Sequence, residues 1–184
     1  ATISSNTANI IDLGGDAWHC KYEMQDSDSD GIIPFQIGDI RDIAGNPTAG
    51  TETTTDGSTV TVDKLSPELT VTIASNNDVS SLAKHGDIVT VSIASNETLN
   101  GAPTVQISSN TSPTVNPSTA STNYTATHTL NQASHPQTAV TYSISNVLDR
   151  AGNTVSAITN TSDASSVTFD YTAPLLDAVA SSSN

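Results

Sequence analysis

The pentapeptide Asp42-Ile43-Ala44-Gly45-Asn46 returns 107 residues later as Asp149-Arg150-Ala151-Gly152-Asn153. The same offset carries Phe35 onto Tyr142, Ile37 onto Ile144, Val60 onto Val167, Val62 onto Phe169, Asp63 onto Asp170, Pro67 onto Pro174 and Leu69 onto Leu176, without a gap. An ungapped repeat constrains the fold more than composition does, because each copy has to bury its own apolar face or share it with a neighbour. A period of about 100 residues in strand-like sequence is one β-sandwich per copy.

The opening phrase Ala1-Thr2-Ile3-Ser4-Ser5-Asn6 recurs over Val71–Asn76 and again over Val179–Asn184. Starts at 1, 71 and 179 divide the chain into a unit over 1–70, a unit over 71–178 and the first strand of a third at 179–184. The chain thus begins inside one repeat and stops inside another, and is expected to be a piece of a longer protein. The first unit is abridged, and the deletion can be located. Gly15-Asp16 matches Gly86-Asp87, but Trp18 then matches Tyr124, so residues 88–122 have no counterpart in the first unit. That block holds two strand-like runs, one with Val89, Val91 and Ile93 on one face and one with Val105 and Ile107.

After the gap, Trp18, Cys20, Tyr22 and Met24 are expected inward and His19, Lys21, Glu23 and Gln25 outward. Tyr124, Ala126, His128 and Leu130 take the same places in the second unit. A polar turn, Asp26 to Gly31, leads to a strand carrying Ile33, Phe35 and Ile37, mirrored by Val140, Tyr142 and Ile144. Pro34 lies on the far face of that strand and cannot donate to a ladder, which predicts an edge or a bulge there. The Asp-x-Ala-Gly-Asn and Asp56-Gly57 stretches read as turns. Helical periodicity is missing throughout, so the expected class is all-β.

Composition removes several function classes. The formal net charge is −14, with only five Lys plus Arg. Nucleic acid and anionic lipid both need a basic surface. No apolar run approaches the roughly 18 residues of a membrane span, so membrane insertion by this segment is not expected. The single cysteine, Cys20, excludes an intrachain disulfide and reads as a small buried hydrophobe. His19 beside it falls on the opposite strand face, and the histidines at 19, 85, 128 and 135 have no metal-ligand spacing. No reaction constellation can be assembled, so a non-catalytic role is expected.

Three features could carry ligands. Asp26, Asp28 and Asp30, alternating before Gly31, resemble the start of a calcium loop, since calcium takes several oxygens at about 2.3–2.6 Å. The twelfth position from Asp26 is Ile37, not an acid, and the second unit has Asn131 to Pro136 there instead. A solvated hairpin turn is the competing reading. Asp42 with Asp149, or Asp63 with Asp170, are cation candidates at a hinge between repeats, against turn and strand-end hydrogen bonding. Asn96, Asn110, Asn123 and Asn160 head Asn-x-Ser/Thr glycosylation patterns, all in the second unit.

Taken together, the Ser-Asn openings, Leu82-Ala83-Lys84-His85-Gly86-Asp87-Ile88-Val89-Thr90-Val91, Asp28-Ser29-Asp30-Gly31-Ile32, Asp42 to Asn46 and Asp56 to Asp63 resemble the bacterial-type immunoglobulin-like repeats of large extracellular surface proteins and adhesins. The resemblance covers essentially the whole chain. It implies tandem immunoglobulin-like β-sandwiches, the first lacking about three middle strands, outside the cell or on its surface, with no catalytic residues and no cofactor beyond calcium. An abridged sandwich exposes edges that recruit other strands. The expected role is a structural segment of a fibril or surface stalk whose partners are copies of itself or adjacent repeats. An adhesin repeat that binds a glycan or other surface ligand, with calcium support, is the alternative.

Overall fold

The computed structural model describes residues 1–109 and 112–177. The expected strand at 179–184 and the sequon residue Asn110 lie outside the described residues. Among those described, the chain is all-β and contains no helix. It divides into two compact units, Ala1–Lys64 and Leu65–Asn184.

Unit 2 is built on a four-stranded antiparallel sheet. Its strands are β10 (Leu69–Ser75), β12 (Ile88–Ser95), β15 (Asn123–Thr129) and β14 (Thr114–Asn116), adjacent in that order. Strict alternation sends Val71 and Ile73, Val89, Val91 and Ile93, and Tyr124 and Ala126 to one buried face, leaving Thr and Ser on the other. Shorter pairs cover that face: β13 (Thr104–Ile107) with β16 (Tyr142–Ser145), β17 (Val147–Leu148) with β18 (Thr154–Val155), and β11 (Leu82–Ala83) in parallel with β19 (Thr168–Phe169). Val105, Ile107, Ile144, Val147 and Phe169 from these strands, with Val167 just before β19, complete one continuous apolar core. Each such side chain contributes about 1.5–3 kcal/mol on burial.

Unit 1 consists of β1 (Thr2–Ile3), β2 (Asn6–Thr7), β3 (Asn9–Gly14), β4 (Ala17–Lys21), β5 (Gly31–Ile32), β6 (Phe35–Gln36), β7 (Ile40–Arg41), β8 (Pro47–Thr48) and β9 (Thr61–Val62). Its second half repeats the pairing of unit 2 at the 107-residue offset. Ile40 and Arg41 oppose Thr48 and Pro47, as Val147 and Leu148 oppose Val155 and Thr154. The bridges Ile37–Thr51 and Ile144–Ile158 correspond, as do Ile32–Thr61 and Ala139–Thr168. The backbone bond from Ile33 to Val60 O, 2.9 Å, recurs from Val140 to Val167 O, 2.8 Å.

Three expectations need correction. The run from Ile33 to Ile37 is not one strand. β5 pairs with β9 and β6 pairs with β1, and the change of partner falls at Ile33-Pro34, where proline offers no N–H to continue a ladder. Trp18, expected inward, is 60% exposed; it lies opposite Asp12 on the β3–β4 hairpin, close to the Gly14-Gly15 turn. The first strand is also short. After Ile3 the chain turns back through Ser4 and Ser5 into β2.

The junction where residues 88–122 have no counterpart is closed by this same hairpin. Gly14 and Gly15 both take positive φ, which glycine adopts without steric cost. The Gly14 N–H is fixed by the Asp12 carboxylate at 2.7 Å. Gly15-Asp16 therefore leads directly into β4.

Candidate functional site

The abridgement leaves a cleft in unit 1 of about 1250 Å³. One wall is Cys20, Tyr22 and Met24, and the other includes Ile33, Phe35, Ile37 and Val60. Five of their equivalents in unit 2, Ala126, Leu130, Tyr142, Ile144 and Val167, are buried in the core. Val60 is 65% exposed, whereas Val167, 107 residues on, is 0% exposed. Tyr142 and Ile144 are buried, while Phe35 and Ile37 are only half-buried. Backbone edges differ in the same way. β15 has β12 on one side and β14 on the other, but β4 pairs with β3 alone among the described residues. Unit 1 thus presents an open strand edge beside an apolar cleft, a combination that favours strand addition.

Cys20 is a half-buried free thiol in the cleft wall, not a fully buried one. His19 is exposed and faces Ile11 on β3. The two side chains alternate across the strand and form no dyad.

The Asp26–Asp30 turn closes one end of unit 1. Asp28 is buried, and its carboxylate is occupied by protein donors. Oδ1 accepts from Ser4 Oγ at 3.1 Å, and Oδ2 from the Tyr22 hydroxyl at 3.1 Å and the Gln25 N–H at 2.7 Å. The Gln25 N–H, with the Ser4 and Tyr22 hydroxyls, outweighs burial and holds the Asp28 carboxyl below its ordinary value. Burial, together with the adjacent Asp28, raises the Tyr22 phenol. Lys64 supplies the cation. Its ammonium donates to the Asp26 carbonyl at 2.7 Å and to the Asp28 carbonyl, and its backbone N–H donates to Asp30 Oδ1 at 2.9 Å. The Lys64 ammonium thus ties the Asp26 and Asp28 carbonyls of the turn together.

The matching place in unit 2 is filled differently. His135 is Asp28 shifted by the repeat, and His128 stands where Tyr22 stands on its strand. Their Nε2 atoms are 3.0 Å apart, with the rings meeting edge to face. His135 is buried, its Nδ1 held 3.1 Å from the Asn131 N–H and 3.0 Å from the Asn131 carbonyl. Burial, and the neighbouring His135, lower the His128 pKa from its ordinary value. Spacing along the sequence does not reveal this pair, because the 131–135 loop folds back to make it. The 107-residue offset marks His135, and the alignment of Trp18 with Tyr124 marks His128.

In both Asp-x-Ala-Gly-Asn turns the asparagine bonds back to the aspartate carboxylate. Asn46 N–H and Nδ2 both reach the Asp42 carboxylate at 2.8 Å; Asn153 N–H and Nδ2 reach Asp149 at 2.8 and 2.6 Å. The Asn46 side chain and N–H hold Asp42 below its ordinary pKa. Burial pushes Asp149 up, but bonds from Asn153, Gly152 and Ala151 outweigh it and the net shift is down. Asp170 accepts the Thr172 N–H at 2.9 Å. Of the sequon asparagines, Asn96, Asn123 and Asn160 are exposed. Asn96 also accepts the Glu68 N–H at 2.9 Å.

No known protein family, curated protein or solved structure matches this chain.

Proposed function

We propose that this chain is a non-catalytic structural segment of an extracellular fibril or surface stalk, made of tandem immunoglobulin-like sandwiches, in which unit 1 is completed by a strand from a second copy. The observation that carries this reading is the contrast between aligned positions. Residues whose equivalents are sealed in the core of unit 2 line an open cleft in unit 1, next to an edge of β4 that is unpaired among the described residues. A strand with alternating apolar residues satisfies both deficits: its backbone pairs with the edge and its side chains fill the cleft. Such a contact joins different surfaces of two copies. Contacts of that kind propagate into filaments unless they close into a ring.

The net charge of −14 fits a solvated surface role, and the Ser- and Thr-rich outer sheet face of unit 2 leaves room for glycans at Asn123. The reading as a calcium-stabilised adhesin repeat has less support, because the Lys64 ammonium takes the loop carbonyls. Size-exclusion chromatography with light scattering and negative-stain microscopy test the proposal. Concentration-dependent linear oligomers are expected, and a monomer at every concentration rejects strand exchange.

A further inference from the structure

We propose that His128 and His135 form a two-imidazole chelate for a tetragonal transition ion, Cu(II) or Ni(II). The geometry of the pair does not depend on the fibril reading. Imidazole nitrogens bind such ions at about 2.0–2.1 Å, so two adjacent ligands at a right angle stand about 3 Å apart. The Nε2 atoms of His128 and His135 are 3.0 Å apart. A tetrahedral ion such as Zn(II) needs a wider bite, which favours the square geometries that Cu(II) and Ni(II) adopt.

The surroundings of His135 match those of a metal-binding imidazole. Ligating histidines hold their second nitrogen on a backbone carbonyl or a carboxylate, which fixes the ring and the tautomer. Here Nδ1 of His135 meets both the N–H and the C=O of Asn131, at 3.1 and 3.0 Å. The ring can therefore carry its proton on either nitrogen. With the proton on Nε2, that group donates to His128 Nε2 and the pair is a simple hydrogen bond. With the proton on Nδ1, it donates to Asn131 O in place of accepting from the Asn131 N–H, and Nε2 offers a lone pair 3.0 Å from His128 Nε2. Both imidazoles stay neutral, so the ion enters without net proton release. The Asn131 loop is itself tied down: Ser134 N–H and Oγ both donate to Asn131 Oδ1, at 2.9 and 2.5 Å, and the His135 N–H donates to Asn131 O at 3.0 Å. On its other side the His135 ring abuts Phe169 at right angles, 6.3 Å between centroids. His128 is half-buried, so solvent can supply the remaining ligands. The chain's negative charge raises the local concentration of cations.

The test uses Cu(II) with the full chain at pH 7.5, by calorimetry and electron paramagnetic resonance. One tight site with superhyperfine splitting from two nitrogens is expected. His128→Gln, at a half-exposed position, should weaken that site at least tenfold and remove one nitrogen from the spectrum. His19→Gln should leave it unchanged. His135→Gln should do as His128→Gln does, with its circular dichroism melt as the check on folding. Cu(II) binding with an oxygen-only spectrum, or binding indifferent to His128→Gln, overturns the proposal.

Discussion

Ile3 lies directly opposite Phe35 on the antiparallel β1–β6 pair, in the register by which Ile107 lies opposite Tyr142 in unit 2. Thr2 opposite Gln36 likewise corresponds to Gln106 opposite Ser143. The first strand of unit 1 therefore stands where a middle strand stands in unit 2. In unit 2 the strand that opens the sheet, β10, pairs instead with β12, whose counterpart unit 1 lacks. The substitution covers one edge of the abridged unit and leaves β4 and the cleft open.

The cleft makes a paired prediction at aligned valines. Val167→Ala should cost unit 2 about 2–3 kcal/mol, the sum of lost transfer energy and a residual cavity. Val60→Ala should change the stability of the unassembled chain by less than about 0.5 kcal/mol, because its side chain already faces solvent. Chemical denaturation of each variant, at a concentration where the chain is dilute, measures the contrast.

Met24 lines the cleft and is 36% exposed. Met24→Glu should leave the melting of unit 2 unchanged and weaken self-association at least tenfold, since the carboxylate would be buried by an incoming strand without a partner. Sedimentation velocity over a concentration series reads both arms.

Lys64 is the internal counter-ion of the Asp26–Asp30 turn. Lys64→Met should destabilise unit 1 by about 1 kcal/mol, a value kept small because the ammonium is exposed. Amide exchange at Gln25 and Asp28 should rise in the same variant. Added calcium should protect those amides in Lys64→Met and have no effect on the parent chain.

Acidification should destabilise the protein in two steps. His128 has a folded pKa below its ordinary 6.5. The unfolded chain therefore takes up that proton first, and stability falls as pH drops from about 6.5 toward the lower folded value. The carboxylates of Asp28, Asp42 and Asp149 are depressed below 3.8. Their contribution is complete above that value and is lost as pH falls through the folded pKa values. Melting temperature against pH should show both declines, and His128→Gln should remove only the first.

Much of the architecture could be read along the chain. Strict alternation identified β12, β13 and β15, and the 107-residue offset anticipated the paired turns and bridges of both units. Where reading failed, the cause was contact between distant segments. Trp18 sits in a strand with inward periodicity, but it lies near the turn of the β3–β4 hairpin and stays exposed. Pro34 was placed at an edge or bulge; its lack of an N–H moves the strand to a new partner. Lys64, 34 residues beyond Asp30, bonds the Asp26–Asp30 turn from a distance that no local pattern announces. His128 and His135 carry no spacing signature, because a loop, not a helix or hairpin register, brings their rings together.

Cys20, in the cleft wall, reports on the central claim directly. Its alkylation rate by a small maleimide, followed across a concentration series alongside light scattering, compares the open and completed states of unit 1. The account predicts fast labelling in the dilute monomer, protection that grows in step with oligomer mass, and loss of that protection in Met24→Glu. Equal labelling at all concentrations, in a chain that stays monomeric, would contradict it.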